Sequence, residues 1–476
     1  MAEKARRPGA VALLLTALLL CRPGFADTAL TFSQAWERVL AEDHALAAGL
    51  AGQDQAQALM ESARSLLLPQ VELVGSYTRL DKPVELDALS MKPLDSLGDS
   101  LPGQLLIQLL GGQDAFMTPV TRRDITSSSL VAFWPLYTGG KISATRRTLQ
   151  LGRREAAALY EEVRRARFLE LVSTYYGLVT AEKLVLTQEQ AESTLAHHLR
   201  AAEALQRHAQ IAEVERLAAR SAYDQARIAA RDARAKRDTA RMVLTSLVHA
   251  DSPVTTRSRL FTNAALPPRQ ELLDGLADHP SLRVLALKKE QAGTLGEAAR
   301  GAYHPEVFLF GGYSVYEDDS LASDLTPDWL VGLGVRLPLL DRSGRAGKIR
   351  AADSAEEQAR QLYQGAQRKL SVLLETQYRE ADNARRTYQD LVSNVLLAEK
   401  TLHLRQRAFE EGLGRALDVV DAQTALTAAR TRRDAAAFRY VVALAQILAL
   451  SGRQEQFFLY QKKERKQEHR QQEDAS

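Results

Sequence analysis

The chain has 476 residues, a formal net charge of +3, one cysteine and 45% apolar residues. That single cysteine excludes a disulfide framework and a cysteine-ligated zinc site. The charge carries no case for nucleic-acid binding: Lys4, Arg6, Arg7 and Arg22 against Glu3 account for all of it, and the remainder of the chain is near neutral.

Residues 1–26 read as a secretory signal. Lys4, Arg6 and Arg7 form its basic region and Ala10 to Leu20 its apolar core; Gly24-Phe25-Ala26 offers small residues for cleavage before Asp27. The apolar run, about 11 residues, is too short to span a bilayer as a helix. Cys21 lies inside this segment, but Leu20 stands where a lipoprotein signal needs a small residue, so ordinary cleavage is favoured over lipidation. No later stretch is long and apolar enough for a transmembrane helix. A mature chain that enters a membrane must therefore do so as a closed β-barrel.

Beyond the signal the chain repeats itself. Pro135-Leu136 answers Pro338-Leu339, an offset of 203, and the same offset pairs Tyr175 with Tyr378, Ala226-Arg227 with Ala429-Arg430 and Ala240 with Ala443. Ala63-Arg64 and Pro69 answer Ala299-Arg300 and Pro305 at an offset of 236, so the first copy carries about 33 extra residues between Pro69 and Pro135. Each copy reads helix, strand, loop, strand, very long helix, helix.

In chain order, residues 27–69 are expected to form an N-terminal helix. Residues 70–138 hold the first strand pair, Val71 to Leu80 and Ser127 to Tyr137, joined by a long Pro-, Gly- and Asp-rich loop, 81–126; its Leu105 to Leu110 stretch is open between a short helix and a plug. Residues 139–304 form a helical hairpin and the linker between the repeats. Residues 305–341 hold the second strand pair, Pro305 to Tyr316 and Trp329 to Leu337. The alternation is clearest in the last of these: Trp329, Val331, Leu333, Val335 and Leu337 point one way and Leu330, Gly332, Gly334 and Arg336 the other, while Phe308 and Phe310 blur the pattern in its neighbour. Tyr77, Trp134, Tyr137, Tyr313, Tyr316 and Trp329 cluster near strand ends, where aromatic girdles sit. Residues 342–452 form a second hairpin, with a heptad seam from Leu374 to Phe409 and another from Val419 to Leu450. Residues 453–476 read as a polar disordered tail.

The long helices, Lys141 to about Arg207 and Arg345 to about Glu411, would each run roughly 100 Å. Four strands cannot close a barrel with a lumen, and a membrane barrel leaves no open edge. Several copies must then share one barrel, and three would give 12 strands. The fold class is mainly α with a membrane β-barrel part: two structural repeats, four strands and long α-hairpins per chain.

Several stretches resemble the TolC-like outer-membrane efflux factors: Leu30-Thr31-Phe32 with Ala35-Trp36, the junctions Trp134-Pro135-Leu136-Tyr137-Thr138-Gly139-Gly140-Lys141 and Leu337-Pro338-Leu339-Leu340-Asp341, and most specifically Gly412-Leu413-Gly414-Arg415-Ala416-Leu417-Asp418-Val419-Val420-Asp421-Ala422-Gln423. The resemblance covers about Leu30 to Gly452. It implies a homotrimer with its barrel among outer-membrane lipid and its helices in the periplasm, working with a periplasmic adaptor and an inner-membrane transporter and passing its cargo without chemical change. It also implies site residues. Asp418 and Asp421 form rings at the pore constriction, where clustering raises their pKa values. Glu215, at the position of Asp418 in the first copy, latches the hairpins with Arg415 as its partner, and Gly412, Leu413 and Gly414 form the adaptor-contacting tip. Phe409 stands where some members have a tyrosine, and the first turn, His208-Ala209-Gln210, lacks the glycine of the second. By residue pattern alone, Asp418 and Asp421 are also readable as two solvated acids at a helix start.

His197, His198 and His208 read as a solvated polar face. No cofactor, metal site, nucleic-acid partner or catalytic constellation is expected, and the protein is not read as an enzyme. Small-molecule efflux leads; a conduit for type I protein secretion and a pore-free periplasmic coiled-coil scaffold are the alternatives, the latter opposed by the four barrel-like strands.

Overall fold

The computed structural model describes residues 28–87, 104, 107–108, 117–318, 321–340 and 342–462. The signal at 1–26, most of the Leu105–Leu110 stretch and residues 463–476 of the tail lie outside the described residues. The chain divides into two compact units, one comprising residues up to 53, 155–286 and 361 onward, the other 54–154 and 287–360.

The first unit is helical. Strand β1 (Thr28–Leu30) precedes helices α1 (Phe32–Glu42) and α2 (His44–Ser62). The single N-terminal helix expected from the sequence is thus a strand and two helices. Asp43 breaks it: its backbone is extended, and its Oδ1 accepts the Ala45 and Leu46 N–H groups at 2.9 and 3.0 Å, so the side chain starts a new helix instead of continuing the old one. α1 begins with a capping box, Thr31 accepting from Gln34 N–H while the Gln34 side chain accepts from Thr31 N–H.

Two hairpins follow the duplicated pattern to within one residue. α3 (Lys141–Arg207) and α4 (Glu213–Leu247) form the first, α8 (Arg345–Glu410) and α9 (Ala416–Leu450) the second. Arg207 and Glu410, Glu213 and Ala416, and Leu247 and Leu450 all stand at the offset read from the sequence. The expected seams face inward: Leu374, Ala381, Ala384, Val395, Leu402 and Phe409 of α8 are buried, as are Val419, Ala422, Leu426, Ala436, Tyr440 and Ile447 of α9. Alanine at so many inward positions lets helices approach closely without large side chains between them.

Between the hairpins, β6 (Val254–Thr256) pairs in parallel with β1, and α5 (Arg269–Gly275) leads to α6 (Pro280–Gly301). Tyr175 ties these segments together: its hydroxyl donates to Leu30 O at 2.7 Å and accepts from Ser258 N–H at 2.9 Å. Around it lies an aromatic core of Phe32, Phe168, Tyr176, Phe261 and Phe457 in largely edge-to-face contact. Phe457 corrects the sequence reading of a disordered tail from residue 453. Residues 456–462 are helical, Phe457 is fully buried, and Asn263 donates to Tyr460 O at 3.1 Å. A polar composition concealed a short apolar anchor, Phe457, Phe458 and Tyr460, whose partners lie far away in sequence.

The second unit carries a four-stranded antiparallel sheet in the order β2-β5-β7-β8: β2 (Gln70–Arg79), β5 (Asp124–Tyr137), β7 (Glu306–Glu317) and β8 (Trp329–Arg336). β5 starts before the expected Thr126 boundary because Asp124 still pairs with Arg79. The loop also holds a small antiparallel pair, β3 (Glu85–Asp87) with β4 (Met117–Pro119), and the second copy's loop holds a helical turn, α7 (Leu321–Leu325). Pro135, which lacks an amide hydrogen, sits at a bulge beyond the end of β2. Phe308 and Phe310, which blurred the alternation, face Gly334 and Gly332 across β7 and β8; a Cβ on either glycine would lie 2.4–2.5 Å from a ring carbon. The rings fill the space those glycines leave. At the first junction, the backbone crosses so closely that a Cβ on Gly139 would sit 2.3 Å from Gly301 O. At the second, Arg345 donates to the Ala302, Pro338 and Leu339 carbonyls.

The two copies reach the same turn geometry with different residues. Gly412 and Gly452 take φ of +75° and +70°; their counterparts Ala209 and His249 take +57° and +49°. The closing bonds match, Leu413 N–H to Ala408 O at 2.8 Å and Gln210 N–H to Leu205 O at 2.9 Å. A left-handed conformation costs a non-glycine residue about 1–2 kcal/mol, partly offset by the greater unfolded-state freedom of glycine. Ala209→Gly is therefore expected to stabilise the helical unit by about 0.5–1 kcal/mol and Gly412→Ala to destabilise it by a similar amount, seen as opposite shifts in the denaturant midpoint of the helical circular-dichroism signal.

A second expectation concerns His279, which is buried before α6 with its Nδ1 accepting Ser281 N–H at 3.2 Å. Burial, helped by the charge of Arg165, lowers its pKa to about 4. Between the ordinary histidine value near 6.5 and about 4, the unfolded chain binds the proton and the folded chain does not, so stability is full above this window and falls as the pH drops through it. The loss is expected to be on the order of 2 kcal/mol. His279→Asn, which keeps an acceptor, should flatten the difference between melting curves at pH 7 and pH 4.5.

Candidate functional site at the hairpin tips

The turns 208–212 and 411–415 lie together in the first unit over a small core of Leu199, Ala202, Ala219, Phe409, Ala416 and Val419. Each residue of the second turn has a local reason. Gly412 supplies the left-handed bend, and Gly414 lies so close to the end of α8 that an added Cβ would be 3.2 Å from Phe409 N. Leu413, held between them, is 80% exposed.

Glu215 does bridge the hairpins, but not through Arg415. Its Oε2 accepts the Ala416 backbone N–H at 2.7 Å, so α4 supplies a carboxylate cap to the first turn of α9. Arg415 turns back on its own helix, with Nη2 3.2 Å from Asp418 Oδ1. The expected Glu215–Arg415 pairing is thereby corrected: a charged group beside a helix N-terminus finds the unsatisfied backbone donor, and the arginine finds the acid three residues along.

Asp418 is the most contacted of the predicted acids. Arg405 Nη1 lies 3.6 Å from its Oδ2, and the Arg415 backbone N–H 3.5 Å away. Burial pushes its carboxyl up, but the Arg415 N–H, the Arg415 guanidinium and Arg405 together hold it below the ordinary aspartate value. Within one chain the direction is thus opposite to that expected for a ring of clustered acids. Asp421, one turn further along α9, is exposed.

Sequence reasoning missed His198. It was grouped with a solvated face, yet it is only 4% exposed and its ring meets Phe409 edge-on at 4.5 Å; its neighbour His197 is exposed. The signal was present. Ala191, Leu195, His198, Leu199 and Ala202 are all buried, so His198 sits on the apolar stripe of α3. Phe409, without the hydroxyl of a tyrosine, uses its ring face and edge here. Above this layer, a groove of about 460 Å³ opens between α3, α4 and α9, lined by Ala191, Leu195, Ala222, Ala226, Gln423 and Thr427 among others. Among the described residues, no cluster of three or more His, Cys, Asp or Glu side chains is arranged to hold a metal ion.

This geometry separates Glu215 from Arg415 energetically. Glu215→Ala leaves the Ala416 N–H uncapped and is expected to cost about 0.5–2 kcal/mol. In a double-mutant cycle, Glu215→Ala and Arg415→Ala should be additive to within about 0.5 kcal/mol, whereas Arg415→Ala and Asp418→Ala should couple. Strong coupling in the first cycle would restore the side-chain latch.

The comparisons with known proteins agree with this architecture. The profile of the family described as "Outer membrane efflux protein" matches residues 35–248 and 274–453. Protein CyaE of Bordetella pertussis is 29% identical over 200 residues, 39% of this chain and 42% of CyaE. The cobalt-zinc-cadmium resistance protein CzcC of Cupriavidus metallidurans is 25% identical over 322 residues, 66% of this chain and 74% of CzcC. The fold is similar to that of the Campylobacter jejuni CmeC outer membrane channel, with a TM-score of 0.72 at 15% identity over 89% of this chain and 86% of that one. It is also similar to VceC from Vibrio cholerae, with a TM-score of 0.70 at 15% identity over 88% and 96%. The duplicated hairpins, the edge-open sheet and a family profile that spans most of the sequence show that the chain belongs to the outer membrane efflux protein family of TolC-like channels.

Proposed function

We propose that the protein is a trimeric outer-membrane channel of a tripartite efflux system, exporting small molecules that an inner-membrane pump delivers. The observation that carries this reading is the sheet of the second unit. β2 is exposed along its whole length, and β2 and β8 are both edge strands. Val71, Leu73, Val331, Leu333 and Val335 are each at least 60% exposed. Water does not favour such a surface, and a backbone edge of this length invites pairing.

Lipid against the apolar face and a second copy against each edge satisfy both needs. Three chains then make one 12-stranded barrel. Tyr77, Tyr313, Tyr316 and Trp329 gather towards one end of the sheet and Trp134 and Tyr137 towards the other, in keeping with two interfacial girdles. Among the described residues, no helix is long and apolar enough to cross a membrane.

The helical units form the periplasmic conduit, and the tips form its inner end. Three copies of Asp418 and Asp421 give acidic rings that favour cations. The adaptor meets Leu413 and the groove between α3, α4 and α9. The pore carries no catalytic step.

The protein is expected in the outer-membrane fraction as a cross-linkable trimer with measurable conductance in planar bilayers. Asp418→Asn with Asp421→Asn should keep the trimer and shift the reversal potential towards lower cation selectivity. A soluble periplasmic monomer without conductance would end the channel reading.

A further inference from the structure

His198 occupies an unusual place for a titratable group. It lies on α3, in the layer where the first hairpin meets the ends of α8 and α9. Its ring is packed against Phe409, and its Nε2 is buried without a hydrogen-bond partner. A neutral imidazole tolerates this site as a flat, mostly apolar body. An imidazolium needs donors satisfied at both nitrogens and a solvated or paired charge.

The groups that face the ring come from every element of the joint. Glu215 approaches from α4, Glu410 from α8, the Ala416 backbone from α9, and His197 lies beside it on α3. Burial lowers the His198 pKa; the Ala416 backbone, Glu215 and Glu410 oppose that effect, and His197 adds to it. The ring is therefore neutral at pH 7 and gains its proton only on acidification.

We propose that His198 is a proton-operated wedge between the two hairpins, holding the tip together while neutral and driving the hairpins apart when it is protonated. Two routes for the charged ring loosen this joint. It leaves the Phe409 contact for water, which removes packing between α3 and α8. Otherwise it recruits Glu215, whose Oε2 already caps α9 at the Ala416 N–H at 2.7 Å. Drawing that carboxylate away frees the α9 N-terminus from α4. Pairing with Glu215 thus cannot rescue the closed joint by neutralising the ring, because that carboxylate is the one that caps α9. Any effect on conduction rests on the channel reading; the movement of the joint does not.

The test uses the full chain purified in its native oligomer, with spin labels on cysteines introduced at Gln210 and Leu413 in the two turns. Labelled chains are diluted into unlabelled ones, and distances are measured at pH 7.5 and pH 5. A longer-distance component is expected to rise several-fold at pH 5 in the parent. It should stay at its pH 7.5 level in His198→Gln and in His198→Phe, two uncharged replacements of different polarity, so that one remains informative if the other fails to fold. An unchanged distribution in the parent, or the same pH response in a folded variant, would overturn the wedge. Bilayer conductance across the same pH step is the separate readout: absence of conductance at every pH contradicts the channel, while conductance with no difference between parent and His198→Gln contradicts the wedge as its regulator.

Discussion

A β-sheet with unpaired edges and an exposed apolar face sets the terms for everything else in this chain. Among the described residues, β2 and β8 each leave one row of backbone donors and acceptors unpaired. No rearrangement of four strands of 10, 14, 12 and 8 residues closes on itself around a lumen. The helical unit has the opposite character: its seams are buried and its aromatic core is dense. One part of the chain buries its apolar seams within itself, and the other leaves backbone edges and apolar side chains open.

Duplication explains the economy of this arrangement and also its inequality. The helix boundaries of the two hairpins correspond residue for residue except at the start of the long helices, which differ by one, and even the left-handed turn positions coincide. Yet Ala209 and His249 stand where Gly412 and Gly452 do. Backbone geometry has been retained where the residue best suited to it has not. The acids at equivalent positions diverge further: Asp418 pairs within its own hairpin, while Glu215 reaches across to the other one.

Much of this was legible before any coordinates. Strict alternation marked β8, and the three-four spacing of apolar residues marked the inward faces of α8 and α9, because both signals are periodic and local. What the sequence hid depended on partners far along the chain. Phe308 and Phe310 looked like noise until Gly332 and Gly334 were seen beneath them. Phe457 opens a short apolar run in a polar stretch, with no nearby residue to reveal that Phe32 and Phe168 would receive it. Glu215 could be placed at the tip by repeat arithmetic, but its true partner is a backbone amide, which every sequence position except proline offers equally.

The contact between Phe32 and Phe457, at 5.2 Å, joins residues near opposite ends of the described chain. A core that needs both is one of high contact order, and its closure waits for almost the whole polypeptide to be present. The early helices, whose contacts are local, can form before that closure, but the aromatic cluster cannot. By the time it locks, all four strands, which lie between its two ends in the sequence, are available to find their neighbours.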